Sequence, residues 1–76
     1  MPHVEIKCFP GRTEEQKKIC AEKISEVIAE TLGCKTSSVS IAIKEVPEDK
    51  WKSDVWDKSI VPDEKYMYKR PEYTCD

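Results

Sequence analysis

The sequence predicts an α/β (α+β) fold in which one strand–helix–strand unit is followed by a helical C-terminal extension. Three observations predict it: alternating apolar and polar residues at 3–9, a 3.6-residue apolar period at 14–32, and a second alternating segment at about 38–46. Two strands joined by a long helix form a βαβ unit, so we expect the strands to run parallel with a right-handed crossover.

The first strand is predicted at residues 3–9. Val4, Ile6 and Cys8 fall on one face and polar residues on the other, which is the pattern of a half-buried strand. A Pro-Gly dipeptide follows directly and ends the strand in a turn.

The helix is predicted from Glu14 to Leu32. Thr13 is a good N-cap, and Gln16 three residues later completes a capping box. Gly33 is the expected stop, because glycine tolerates the left-handed conformation that often ends a helix. The helix carries one apolar stripe, which consists of Cys20, Ala21, Ile24, Val27, Ile28 and Leu32.

The second strand is predicted from about Ser38 to Val46. Val39, Ile41 and Ile43 alternate there with smaller or polar residues, and Pro47 ends the strand.

The remainder of the chain is less regular. Trp51 and Val55 are four residues apart and could share one face of a helix. Residues 62–64, Pro-Asp-Glu, are typical of a further helix start, and we expect Tyr66 and Met67 to face inward from it.

The chain is expected to be one domain over residues 1–76, with a core at 2–52 and an extension at 53–76. A single βαβ unit in 76 residues is too small to close a core of its own. Two such units sharing one four-stranded sheet would supply the missing core. A homodimer is therefore a physical expectation.

The charge pattern excludes several partners. The net charge is −2 with both signs interleaved, so no basic patch indicates nucleic-acid binding. No apolar run reaches membrane-spanning length, and the first residues lack the pattern of a signal peptide. We therefore expect a cytoplasmic protein with no membrane partner.

The cysteines do not form a metal-binding pattern. The chain has four of them, without a C-x-x-C pair, and a single histidine, so a zinc site has few ligand combinations. Two disulfides would be the alternative in a secreted protein. The favoured interpretation is reduced thiols that act as small hydrophobic residues, at Cys8, Cys20, Cys34 and Cys75.

Two features stand together at the start of the chain: Pro2 directly after the initiator methionine, and the segment GRTEEQK at 11–17 before the helix. With the helix and the second strand, they resemble the 4-oxalocrotonate tautomerase family over residues 2 to about 52. The tail resembles the slightly longer, dimeric bacterial members of that family at Trp56, Pro62 and residues 69–73.

The resemblance implies that Pro2 is the general base. Keto–enol proton transfer needs a base that is neutral near pH 7, and an α-amine titrates at about 7.7–8.0 when unperturbed. An apolar pocket or a nearby cation such as Arg12 would lower that pKa. The nitrogen is an amide while Met1 is attached, so the role requires removal of Met1, which we expect because methionine is usually trimmed before proline.

The resemblance also implies a substrate-binding arginine at Arg12, where a guanidinium could bind a carboxylate with two hydrogen bonds. A solvated Arg12 paired with a nearby glutamate is the alternative. Ser40 departs from the family pattern, since the best-known members carry a second arginine at this position. Serine supplies one hydrogen bond and no charge, which favours a monocarboxylate 2-oxo acid over a dicarboxylate. Lys44 could substitute, although a solvated lysine is favoured there.

The sequence also allows predictions for Trp51 and His3. Trp51 stands where the family places an aromatic residue that keeps the site apolar, although it could equally pack in the core or at a dimer interface. His3 is expected to be solvated or at an interface, because successive side chains of a strand point to opposite faces. The alternative is a contact between His3 and the substrate in the dimer.

The leading hypothesis is a keto–enol tautomerase that acts on a small-molecule enol or 2-oxo acid, with no metal or organic cofactor. A hydratase or decarboxylase that uses Asp54 as a carboxylate is a minor alternative. A non-catalytic dimeric binding module of the same fold is an alternative of a different class, because the second arginine is missing.

Overall fold

The computed structural model describes residues 1–76 and divides them into two compact units. The first is Met1–Glu45 and the second is Val46–Asp76. A single domain with a C-terminal extension stays a prediction. No helix of the chain combines the length and the apolar composition needed to cross a bilayer.

The first unit has the predicted βαβ order. Strand β1 covers His3–Cys8, helix α1 covers Glu14–Leu32 and strand β2 covers Ser40–Glu45. The strands pair in parallel, from His3 opposite Ser40 to Cys8 opposite Glu45. The parallel register places both strand starts, with residues 2, 3 and 40, at one end of the sheet. The ends of both strands and the start of α1 lie at the other end.

The second strand begins two residues later than predicted. The residues before it, Thr36–Ser38, form a short 3-10 turn. Its backbone N–H groups point back along the turn, from Ser38 to Lys35 and from Val39 to Thr36, at 3.0 and 3.1 Å. These two N–H groups already have acceptors within the turn and do not pair with β1, so β2 begins only at Ser40.

The bounds of α1 are confirmed, and its caps explain them. The backbone N–H of Gln16 donates to Thr13 Oγ1 at 3.1 Å, and the backbone N–H of Thr13 donates to Gln16 Oε1 at 2.8 Å. This reciprocal pair satisfies two N–H groups that a helix start leaves without partners. At the other end Gly33 adopts φ 72° and ψ 55°, a left-handed conformation that favours glycine.

The apolar stripe of α1 is only partly covered. The residues that face the sheet are half-buried, namely Ala21, Ile24, Ile28 and Ala29. Val27 is 56% exposed and Leu32 is 69% exposed, and no residue of α1 is buried. Residues of both strands, Val4, Ile6, Ile41 and Ile43, are likewise only half-buried. The first unit therefore has an incomplete core.

The second unit is built around a π-helix over Lys52–Ile60, which follows a 3-10 turn at Glu48–Lys50. The C-terminal extension is helical, as predicted, but the helix start expected at residues 62–64 gives only a short 3-10 turn at Glu64–Tyr66. Tyr66 is also exposed, against the prediction, whereas Met67 is half-buried.

Both tryptophans of the second unit contact Tyr73. The backbone hydrogen bonds of the π-helix run from residue i+5 to residue i, as from the Val61 N–H to the Trp56 carbonyl at 2.9 Å. Trp51 Nε1 donates to the hydroxyl of Tyr73 at 3.2 Å, and the Trp56 ring lies 5.3 Å from the Tyr73 ring, centroid to centroid. Val55 is the one buried residue of the chain, 4% exposed.

The capping box gives a testable prediction for the first unit. Thr13→Ala lowers the free energy of unfolding by about 1 kcal/mol, because it removes the acceptor for the Gln16 N–H. Urea denaturation of both proteins at one concentration measures the difference.

Thr31→Ala is the matched control. The Thr31 hydroxyl donates to the Val27 carbonyl of the preceding turn at 2.7 Å, an exposed contact that slightly disfavours a helix. The same substitution there leaves stability unchanged or raises it. An equal loss in the two variants contradicts the cap assignment.

Candidate active site

Pro2 is anchored at the start of the strand pair. The backbone N–H of Ser40 donates to the Pro2 carbonyl at 3.2 Å, one step before the register pair of His3 and Ser40. Pro2 is half-buried, whereas Met1 is fully exposed. The ladder thus fixes the proline, and the methionine that precedes it is accessible from solvent.

The side chain of Ser40 is held as well. Its Oγ lies 2.6 Å from His3 Nδ1, a hydrogen bond at the short end of the usual range. His3 is exposed as expected, but the structure gives it a specific partner that sequence reasoning missed. The only available signal was that both residues start their strands, and the register that pairs them is not local information.

The other charged side chains on this face of the sheet neutralise one another. Glu5 accepts from Lys44 at 3.1 Å and pairs with Lys7 at 3.4 Å. The hydrogen bond from Lys44, and then that from Lys7, hold the pKa of Glu5 below its usual value. Lys44 is therefore engaged by Glu5, and it lies opposite Lys7 toward the strand ends, whereas His3 and Ser40 lie at the strand starts next to Pro2.

Arg12 lies at the opposite end of β1. The six residues of that strand rise about 3.3 Å each, which makes it roughly 17–20 Å long. Gly11, at φ 124°, forms the turn that precedes Arg12, and Arg12 Nη1 donates to the Phe9 carbonyl at 3.1 Å. An arginine side chain is shorter than the strand, so Arg12 does not reach Pro2 of its own chain.

Arg12 lines an open pocket of about 370 Å³ between the end of the strands and the start of α1. The other lining residues are mostly apolar or thiol-bearing: Ile6, Cys8, Gln16, Lys17, Cys20 and Ile43. The four cysteines of the chain are unpaired.

The two cations of this pocket differ in their partners. Lys17 pairs with Glu14 at 3.3 Å and with Glu45 at 3.5 Å. The hydrogen bond from Lys17 to Glu14 is the main cause that raises the pKa of Lys17. Arg12 forms no ion pair with Glu14 or Glu15, so its guanidinium is the cation of the pocket that is open to an external anion.

Trp51 and Asp54 belong to the second unit. Trp51 donates to Tyr73, as described above, and its role as an aromatic wall stays a prediction. Asp54 accepts from Ser53 Oγ at 3.2 Å and lies 3.9 Å from Lys58 Nζ. The structure thus brings together Pro2, His3 and Ser40, and it places Arg12 at the far end of the same strand pair. The chain contains no group of three or more His, Cys, Asp or Glu residues arranged to hold a metal ion.

Comparisons with known proteins identify a family and similar proteins. The family profile described as tautomerase enzyme matches residues 2–55. Tautomerase PptA of Enterobacter sp. (strain 638) is 45% identical over 75 residues, which cover 97% of this chain and 99% of the relative. Tautomerase PptA of Escherichia coli (strain K12) is 40% identical over 77 residues, which cover 100% of this chain and 99% of the relative.

Two solved structures have a fold similar to that of this chain. The crystal structure of YwhB, a homologue of 4-oxalocrotonate tautomerase, matches with a TM-score of 0.61 and 38% identity, over 63% of this chain and 79% of that one. A 4-oxalocrotonate tautomerase isozyme from Methylibium petroleiphilum matches with a TM-score of 0.62 and 36% identity, over 66% of this chain and 81% of that one.

Proposed function

The chain belongs to the tautomerase family, and on that premise we propose that it interconverts the enol and keto forms of a 2-oxo acid, with the amine of Pro2 as general base. Family membership supports a tautomerase-type activity. The observation that carries the assignment of the base is the position of Pro2, held by Ser40 at the start of β1 behind a fully exposed Met1.

The chemistry requires a free amine. Removal of Met1 turns the Pro2 nitrogen from an amide into a secondary amine that can take a proton near neutral pH. The amine removes the proton of the enol hydroxyl, the electrons of the O–H bond form the carbonyl, and the double-bond electrons take a proton at carbon. The same nitrogen returns that proton, so no other reactant is consumed.

The polar groups near Pro2 favour a substrate with one carboxylate. Ser40 carries no charge, and Lys44 on the same face is paired with Glu5. Arg12, which has no acidic partner, is the group suited to bind that carboxylate with two hydrogen bonds.

Arg12 and Pro2 of one chain lie at opposite ends of β1, so we propose that each site takes its arginine from a second copy of the chain. A two-fold dimer that joins sheet edges pairs its neighbouring strands in antiparallel fashion. The strand start of one chain then lies beside the strand end of the other, and Arg12 of the partner subunit approaches Pro2.

The incomplete core supports the same homodimer. A sheet of two strands is too small to be stable alone, and joining two chains gives four strands. The exposed apolar residues of α1, Val27 and Leu32 among them, would then lie on the face shared by the two helices.

The oligomeric state is directly measurable. Multi-angle light scattering of the purified chain should give twice the mass of one chain, and the same value after dilution across the micromolar range. A monomer that retains enol turnover would contradict the shared site, because it leaves Pro2 without Arg12.

The role of the Pro2 amine has its own test, in the ketonisation of an arylenolpyruvate followed by ultraviolet absorbance. Mass spectrometry first establishes that the purified chain starts at Pro2. An uncleaved N-terminal extension keeps every residue but makes the Pro2 nitrogen an amide, and it should lower kcat/KM by about 10²–10⁴-fold.

The matched control carries the same extension after Asp76 and should keep full activity. Undiminished turnover with the N-terminal extension removes Pro2 from the mechanism. If the processed chain turns over no enol at all, the non-catalytic binding module becomes the better account.

A further inference from the structure

The fold does not require the side-chain hydrogen bond between His3 and Ser40. Both residues are exposed and lie at the very start of their strands, where a side-chain hydrogen bond adds little to sheet stability. The strands are already paired there through the backbone, since Ser40 N–H donates to Pro2. The position of this pair next to Pro2 points to a role in the candidate active site.

The surroundings leave His3 with one partner. Glu5, the carboxylate on the same strand face, is occupied by Lys44 and Lys7. No carboxylate pairs with the imidazole, and its one hydrogen bond is the 2.6 Å contact to Ser40 Oγ.

A serine hydroxyl has one hydrogen and two acceptor lone pairs. If His3 Nδ1 is unprotonated, it accepts that hydrogen, and the hydroxyl has none left for a substrate. If Nδ1 carries the proton, it donates to Oγ, and the hydroxyl hydrogen is free to point elsewhere. The tautomer of His3 therefore decides whether Ser40 can donate to a substrate oxygen.

We propose that His3 is a positioning residue of the tautomerase site, whose Nδ1–H donates to Ser40 Oγ and directs the serine hydroxyl hydrogen toward an oxygen of the 2-oxo acid. This inference rests on the proposed function and deepens it. It explains how a site that has serine in place of a second arginine can still orient a substrate with a single carboxylate. A free hydroxyl would rotate among several directions, whereas a hydroxyl held by Nδ1 keeps its hydrogen on the remaining side.

The first test needs no substrate. His3 is the only histidine of the chain, so its imidazole nitrogen resonances require no assignment. Long-range ¹H–¹⁵N correlation at alkaline pH, where an imidazole is neutral, should show the proton on Nδ1. Ser40→Ala should shift the Nδ1 resonance, and the matched control Ser37→Ala, an exposed serine of the preceding turn, should not. A proton on Nε2 in the unsubstituted chain overturns the proposal.

The second test is kinetic and uses two amides of different length. The amide of His3→Asn lies near the place of Nδ1, whereas that of His3→Gln lies near the place of Nε2. His3→Asn should keep KM for an arylenolpyruvate within about threefold, and His3→Gln and His3→Ala should raise KM about tenfold with a smaller change in kcat.

Coupling between the two residues gives the last readout. Ser40→Ala should raise KM as much as His3→Ala does, and the double variant should be no worse than either single variant. Equal KM values for the Asn, Gln and Ala variants, or additive losses, overturn the positioning role while leaving the activity in place. If the unsubstituted chain turns over no enol, the proposed function fails and this role falls with it, although the NMR experiment still reports on the pair.

Discussion

The parallel pairing of β1 and β2 is the constraint on which the site depends. It brings Pro2, His3 and Ser40 to one end of the sheet, because both strands begin there. The same pairing puts Arg12 at the other end, a full strand length away. A single chain therefore does not bring Pro2 and Arg12 together in one place.

The ion pairs of the first unit determine which of its charged side chains can still bind an anionic substrate. Three lysines of the first unit are paired with glutamate: Lys7 and Lys44 with Glu5, and Lys17 with Glu45. Exposed pairs of this kind add little stability, but they neutralise cations that would otherwise compete for an anionic substrate. Of the two cations that line the open pocket, Arg12 is the one without such a partner. The tautomerase chemistry proposed here therefore uses one guanidinium for the carboxylate and an uncharged hydroxyl beside the base.

Local signals predicted the local structure. The bounds of α1 follow from Thr13, Gln16 and Gly33, each of which acts within a few residues of itself. The π-helix could not be predicted in the same way, because the spacing of Trp51 and Val55 suits an ordinary helix, and its i→i+5 bonds depend on how the second unit packs. The bond between His3 and Ser40 depends on the register of residues 37 positions apart, which no local pattern encodes. The resemblance to a family supplied Pro2 and Arg12 as site residues, but the distance between them required the structure.

The shared site is tested most directly by mixing two inactive proteins. One is the chain whose N-terminal extension makes the Pro2 nitrogen an amide, and the other is Arg12→Gln. Arg70→Gln, measured separately, is the control for loss of a guanidinium and should stay active. After unfolding and refolding together, random pairing makes half of the dimers mixed, and each mixed dimer contains one intact site, so about a quarter of the full activity should return. No recovery, with mixed dimers present by mass spectrometry, would contradict a site built from two chains.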